Sequence, residues 1–275
     1  MKKMKKIMAA AIAMMTFSTA AAVTGTVAWF TANNIVAATG MNIQAETEEG
    51  ILISNEAKSD WKTSAVASHN SAVSVIPTST ADANTWYRNN SNDEDVATGS
   101  GIVGTYKSYA DATDVTVTDG LGTIDHDDNA DTAEKGIYLL NKFYLKSSIN
   151  EAQTKPLYIN KVDISGDSVD LHKAVRVLIK YGSTVKIYGL NGRTASYGVN
   201  GAASGVETIT EADPVNTQLA ASVSIPANNT TTPLEISVYC YFEGEDANCT
   251  STNANATNAL NTLAVALEFG TVTTA

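Results

Sequence analysis

An all-β fold is predicted for this chain of 275 residues, and three features of the sequence carry the prediction. From position 137 onward, short β-branched and aromatic runs follow one another at 137–146, 157–165, 174–181, 185–190, 219–225, 234–242 and 263–269, each bounded by turn residues. Within 174–181, Val175, Val177, Ile179 and Tyr181 alternate with Arg176, Leu178 and Lys180, the period-two pattern of a half-buried strand. No convincing amphipathic helix interrupts the series. Many short antiparallel strands without such a helix indicate a sandwich of two antiparallel sheets carrying long loop insertions, with a jelly roll as the leading arrangement.

The first element is a leader. Basic residues 1–6 precede an apolar stretch, 7–23, broken by Thr16, Ser18 and Thr19, which reads as a signal helix removed on export. It is too short and too broken to span a membrane comfortably. Small residues at Thr26 and Ala28 place the cut between Ala28 and Trp29, so residues 1–28 are the signal peptide, with 20–22 as an alternative site. No later segment holds 18 consecutive apolar residues, and residues 268–275 carry no hydrophobic anchor, so no stable membrane insertion is expected after cleavage. The 18 basic residues less the four leader lysines leave 14 against 29 acidic ones, a charge of −15. Such a surface repels phosphate backbones, which argues against a nucleic-acid partner.

Next come two short strands, 41–46 and 50–54, joined by an acidic turn. Residues 81–135 are rich in Asn, Asp, Thr, Ser and Gly and are expected to be a surface loop insertion, with room for a helix or hairpin inside it, decorating one domain that runs from 41 to 275. Asn191-Gly192, between 185–190 and 193–199, is the dipeptide best suited to a two-residue hairpin turn, so those two runs are expected to pair.

Chemistry-bearing motifs are sparse. Gly99, Gly101 and Gly104 match a dinucleotide fingerprint in spacing but follow a polar run and not a strand, so a loop explains them. Asp125, Asp127, Asn129, Asp131 and Glu134 place oxygen ligands at alternating positions, the candidate site for calcium; position six of that loop is Ala130, not the glycine of an EF-hand. His69, His126 and His172 lie far apart, and no Gly-x-Ser-x-Gly elbow occurs, so no enzyme and no organic cofactor is expected. Cys240 and Cys249 are the two cysteines, and either a disulfide or a buried Cys240 beside an unbridged Cys249 fits their spacing.

Residues 24–45, Thr-Gly-Thr-Val-Ala-Trp-Phe-Thr-Ala-Asn-Asn-Ile-Val-Ala-Ala-Thr-Gly-Met-Asn-Ile-Gln-Ala, resemble the leader junction of the TasA and camelysin family of secreted matrix-fibre proteins from Gram-positive bacteria. The shared features are a Thr-x-Ala-aromatic-Phe junction, a polar stretch, and a strand led by glycine. Residues 239–249, Tyr-Cys-Tyr-Phe-Glu-Gly-Glu-Asp-Ala-Asn-Cys, are similar to a strand end in related secreted proteins. The likeness spans the two ends of the chain and not its middle, and the family's Gly-Gly run is here only Gly25.

The resemblance implies cleavage by a signal peptidase of the SipW type, secretion to the extracellular matrix or cell surface, and a jelly roll whose sheet is completed by the N-terminal strand of a neighbour. The expected function is then a structural fibre subunit, a head-to-tail homopolymer built by donor-strand complementation. The donor segment is 29–40, with Trp29, Phe30, Ile35, Val36, Ala37 and Ala38 as assembly residues. An extended chain puts Ile35, Ala37, Thr39, Met41 and Ile43 on one face, as a groove-filling strand requires, and Gly40 permits a bend before the chain's own first strand. The rival expectation is a calcium-dependent surface adhesin or glycan-binding jelly roll using the 81–135 loops. A secreted protease is a third, carried only by the likeness to camelysin.

Overall fold

The computed structural model describes residues 36–38, 41–47, 50–55, 59–69, 73–75, 78–89, 106–111, 116–118, 121–124, 135–166, 170–190, 195–197, 203–209, 215–243, 246, 248–249 and 264–272. The signal-peptide expectation therefore lies outside the described residues. In chain order the strands are β1 (Val36–Ala38), β2 (Met41–Thr47), β3 (Ile51–Ser54), β4 (Ser64–His69), β5 (Val73–Val75), β6 (Thr85–Asn89), β7 (Tyr106–Asp111), β8 (Thr116–Thr118) and β9 (Leu121–Ile124). They continue with β10 (Lys135–Ser147), β11 (Gln153–Ser165), β12 (Val175–Tyr181), β13 (Thr184–Leu190), β14 (Ala195–Tyr197), β15 (Ala203–Ile209), β16 (Thr217–Ile225), β17 (Leu234–Phe242) and β18 (Ala264–Gly270). A 3-10 turn at Asp170–Ala174 is the one helical element among the described residues, and no helix there is long and apolar enough to cross a membrane.

The all-β expectation holds, in the form of two main sheets that are mostly antiparallel. The larger runs β1-β5-β10-β17-β12-β13-β15-β14, with β3 and β9 also on β10 and β8 on β9. The smaller runs β16-β11-β18-β2-β4. One core lies between them: Leu139, Phe143, Val177, Ile179, Ile236 and Val238 from the first sheet pack with Leu157, Ile164, Leu219, Val265, Leu267 and Phe269 from the second. Each is 3% exposed or less, and full burial of such a side chain contributes about 1.5–3 kcal/mol.

Local deviations have identifiable causes. Pro156 has no N–H to give to a ladder, and the β11–β16 register shifts between Lys155 and Leu157. A second shift, between Ile159 and Lys161 against β18, makes Asn160 the extra residue of a bulge. The alternation accordingly changes parity, from Leu157 and Ile159 inward to Val162 and Ile164 inward. The Asn160 carbonyl accepts from Val215 N at 2.8 Å, and its Nδ2 donates to Val272 O at 3.0 Å, so the bulge anchors two neighbouring segments.

Two expectations need correction. Asn191-Gly192 does not join a hairpin, because β15 lies between its flanking strands, parallel to β13 and antiparallel to β14. A dipeptide that tolerates positive φ permits a turn but does not choose the partner of the strand that follows. A tight hairpin does form at β12–β13, closed at Tyr181↔Thr184 by Gly182-Ser183, with Gly182 at φ 57° as a glycine-first turn needs.

The second correction concerns the insertion, which is not surface decoration at its start. Trp86 is fully buried on the outer face of the larger sheet, with Ala83, Ile137, Tyr138, Leu178, Ile187 and Tyr241. Both faces of β12 are thereby covered, so Arg176 and Leu178 are as buried as Val177. A turn seats the indole: Thr80 Oγ1 donates to Thr85 O at 2.7 Å and accepts from Ala83 N at 3.0 Å, while Asp82 Oδ1 accepts from Asn84 N at 2.8 Å and Thr85 N at 3.0 Å. Partial burial would raise the Asp82 pKa, but the backbone N–H groups of Thr85 and Asn84, the Asn84 side chain and nearby Lys180 hold it below its ordinary value. A depressed carboxylate stabilises the fold above its unfolded pKa, and that contribution drains away as pH falls through the folded value. The stability gap between wild type and Asp82→Asn, measured by denaturant melts, is expected to narrow steadily as pH is lowered below the usual carboxylate range; a gap independent of pH would contradict the turn's role.

Candidate functional site

Of the expected assembly residues, Val36, Ala37 and Ala38 form β1, and Trp29, Phe30 and Ile35 lie outside the described residues, as does Ala28 of the cleavage site. β1 sits at one end of the larger sheet, antiparallel to β5 in the register Val36↔Val75, Ala37↔Ser74, Ala38↔Val73. β5 is itself three residues long and meets β10 at Gly136↔Val75. Two residues, Thr39 and Gly40, separate β1 from β2, which belongs to the other sheet, between β18 and β4. The segment expected to be given to a neighbour thus lies on its own chain's edge, held by three residue pairs, next to a crossing between sheets. Main-chain pairing of this kind is available to any strand of matching length, and an outer strand leaves one row of backbone groups for another chain.

The residues of the second resemblance do structural work that sequence patterning did not disclose. β17 ends at Phe242, and the chain turns through Glu243 and Asp246 to Cys249, closed by Asp246 N to Glu243 O at 3.1 Å and Cys249 N to Asp246 O at 2.8 Å. Glu243 is fully buried, accepts from Ser79 Oγ at 2.9 Å, and donates its backbone N–H to Ala174 O at 2.8 Å. Asp246 Oδ2 pairs with Arg176 Nη2 at 2.9 Å, with the Asp246 side chain 0% and the Arg176 side chain 1% exposed. The guanidinium also donates from Nη1 to the carbonyls of Lys173 and Val175, at 3.2 and 3.1 Å. Gly189, directly opposite Arg176 in the ladder, makes room for it: a Cβ there would stand 3.0 Å from Nε and 3.1 Å from Cδ. Arg176 looked like an outward residue because alternation reports which residues share a face, not what covers that face.

Cys240 and Cys249 are both buried in the central core and no disulfide joins them, so the candidate bridge is not part of this structure. Cys240 lies on the core face of β17 opposite Leu139 and Val177, and burial pushes its thiol up to about 12, which starves it of the thiolate that exchange chemistry needs. The candidate calcium residues Asp125, Asp127, Asn129, Asp131 and Glu134 lie outside the described residues. Among the described residues no group of three or more His, Cys, Asp or Glu is gathered to hold a metal ion. No family model, no curated protein and no solved structure matches the chain.

Proposed function

We propose that this chain is the structural subunit of an extracellular fibre, a jelly roll secreted after cleavage between Ala28 and Trp29 by a SipW-type peptidase, which polymerises by giving its N-terminal strand to the next subunit. It performs no reaction and needs no cofactor; self-association is its activity. The reading is supported by the likeness of residues 24–45 to the leader junction of secreted fibre proteins; β1, an outer strand held on its own chain by three residue pairs, is the contact that has to be exchanged.

Within one chain β1 lies on its own β5, and a fibre requires the neighbour's strand to take that seat. The two arrangements make the same main-chain pairs, so the subunit concentration sets the balance between them. A strand passed head to tail makes a heterologous contact that need not close, and repetition of that contact produces a filament.

Deleting residues 29–38 is expected to abolish filaments seen by negative-stain electron microscopy while the domain still melts cooperatively. Filaments of normal length from that truncation would refute donation. A stapled monomer is a stricter test: Ala37→Cys with Ser74→Cys, opposite one another in the β1–β5 register, should give oxidised monomers that assemble once reductant is added.

A further inference from the structure

The two terminal strands of the smaller sheet lie side by side and point the same way. β2 pairs β18 in parallel, unshifted from Asn42↔Ala264 to Thr47↔Phe269. Neither is an outer strand: the order β16-β11-β18-β2-β4 flanks β18 with β11 and β2 with β4. Most other long pairings are antiparallel, β10–β17 and β12–β17 among them.

We propose that β2 and β18 form a shear clamp that makes the domain resist tension applied between its N-terminal and C-terminal sides. Tension entering ahead of β2 draws that strand toward its N-terminal end. Tension leaving after β18 draws it toward its C-terminal end. In a parallel pair those directions are opposed along the strand axis, so the hydrogen bonds of all six residue pairs are loaded together. In an antiparallel pair gripped at one end they are loaded one after another, and each breaks alone. Peeling is blocked as well, because β2 must slide past β4, or β18 past β11, before either leaves the sheet. The inward side chains of β18 deepen the lock: Val265, Leu267 and Phe269 are 1, 2 and 0% exposed, so sliding drags them out of the core.

The outer β1–β5 contact of three residue pairs sits ahead of the clamp on the same path. It yields first and leaves the domain folded. The clamp follows from strand direction and order alone, and it stands whether or not the chain polymerises.

The test is single-molecule pulling of the unaltered fold in two geometries. One pair of handles is placed at the ends of the chain. The other is placed at the exposed residues Glu151 and Asn229, which lie at the same end of the β11–β16 and β10–β17 pairs, so that force there unzips both. Loading through the chain ends is expected to give one abrupt rupture at about twice the force of the unzipping geometry or more. Equal or lower force through the chain ends, or gradual stepwise extension, would overturn the clamp. Gln44→Pro, which removes one donor from β2, should lower the rupture force of the end-to-end geometry and leave the Glu151/Asn229 geometry unchanged. Should that variant not fold, the comparison of two geometries on the unaltered chain decides alone.

Discussion

Replacing Asp246 with alanine is expected to cost about 3–5 kcal/mol of folding stability, the range for breaking a buried ion pair from one side. The loss comes from what remains behind. Arg176 is 1% exposed, and without Asp246 its charge faces only the carbonyls of Lys173 and Val175. Its Nε already has no hydrogen-bond partner, so little local capacity is left to absorb the change. Asp246 Oδ1 also accepts from Asn248 N at 2.9 Å and Nδ2 at 3.1 Å, so the turn after β17 loosens at the same time. Adding Arg176→Met to Asp246→Ala should recover much of the loss, because an apolar side chain beside Gly189 needs no counter-charge. Urea midpoints of the wild type, both single variants and the double variant give the coupling. A loss below about 1 kcal/mol for Asp246→Ala, the scale of an exposed pair, would show that water reaches the guanidinium.

The same pair marks where sequence reading stopped. Short β-branched and aromatic runs bounded by turn residues located β10, β11, β12, β13, β16, β17 and β18 within a few residues, because each long strand commits side chains to the core and that commitment is written locally. It could not report that a segment some ninety positions upstream roofs the opposite face of β12, since nothing local to Arg176 encodes Trp86. The short strands β4, β5 and β15 were illegible for a related reason: three to seven residues paired at the margin of a sheet carry little hydrophobic signal, and their partners define them. Asn191-Gly192 carried a strong local signal that tertiary pairing overrode. At the candidate site, the extended pattern of the N-terminal segment was readable, but its seat on β5 was not, because Val73–Val75 is too short to announce an edge.

Trp86→Ala is expected to be equally damaging, at about 3–5 kcal/mol, because it removes the centre of a second core and not a surface decoration. The indole is fully buried, with its ring centroid 4.6 Å from that of Tyr138 and 5.3 Å from that of Tyr241, the latter edge to face, and 6.2 Å from that of Tyr239. Truncation leaves a void lined by these rings and by Leu178 and Ile187, whose backbones are fixed in the middle of the larger sheet and cannot close over it. Trp86→Phe isolates the cause. It keeps an aromatic ring against Tyr241 and also removes a buried Nε1–H that has no acceptor, so the lost packing is partly offset and the cost should fall to roughly half or less. If the outer cluster is one cooperative unit with the central core, both variants will shift the denaturation midpoint in a single transition with an unchanged slope. Two separated transitions in Trp86→Ala would instead show that the segment from Thr78 to Trp86 melts by itself, and that the covered outer face of the sheet is a docked flap.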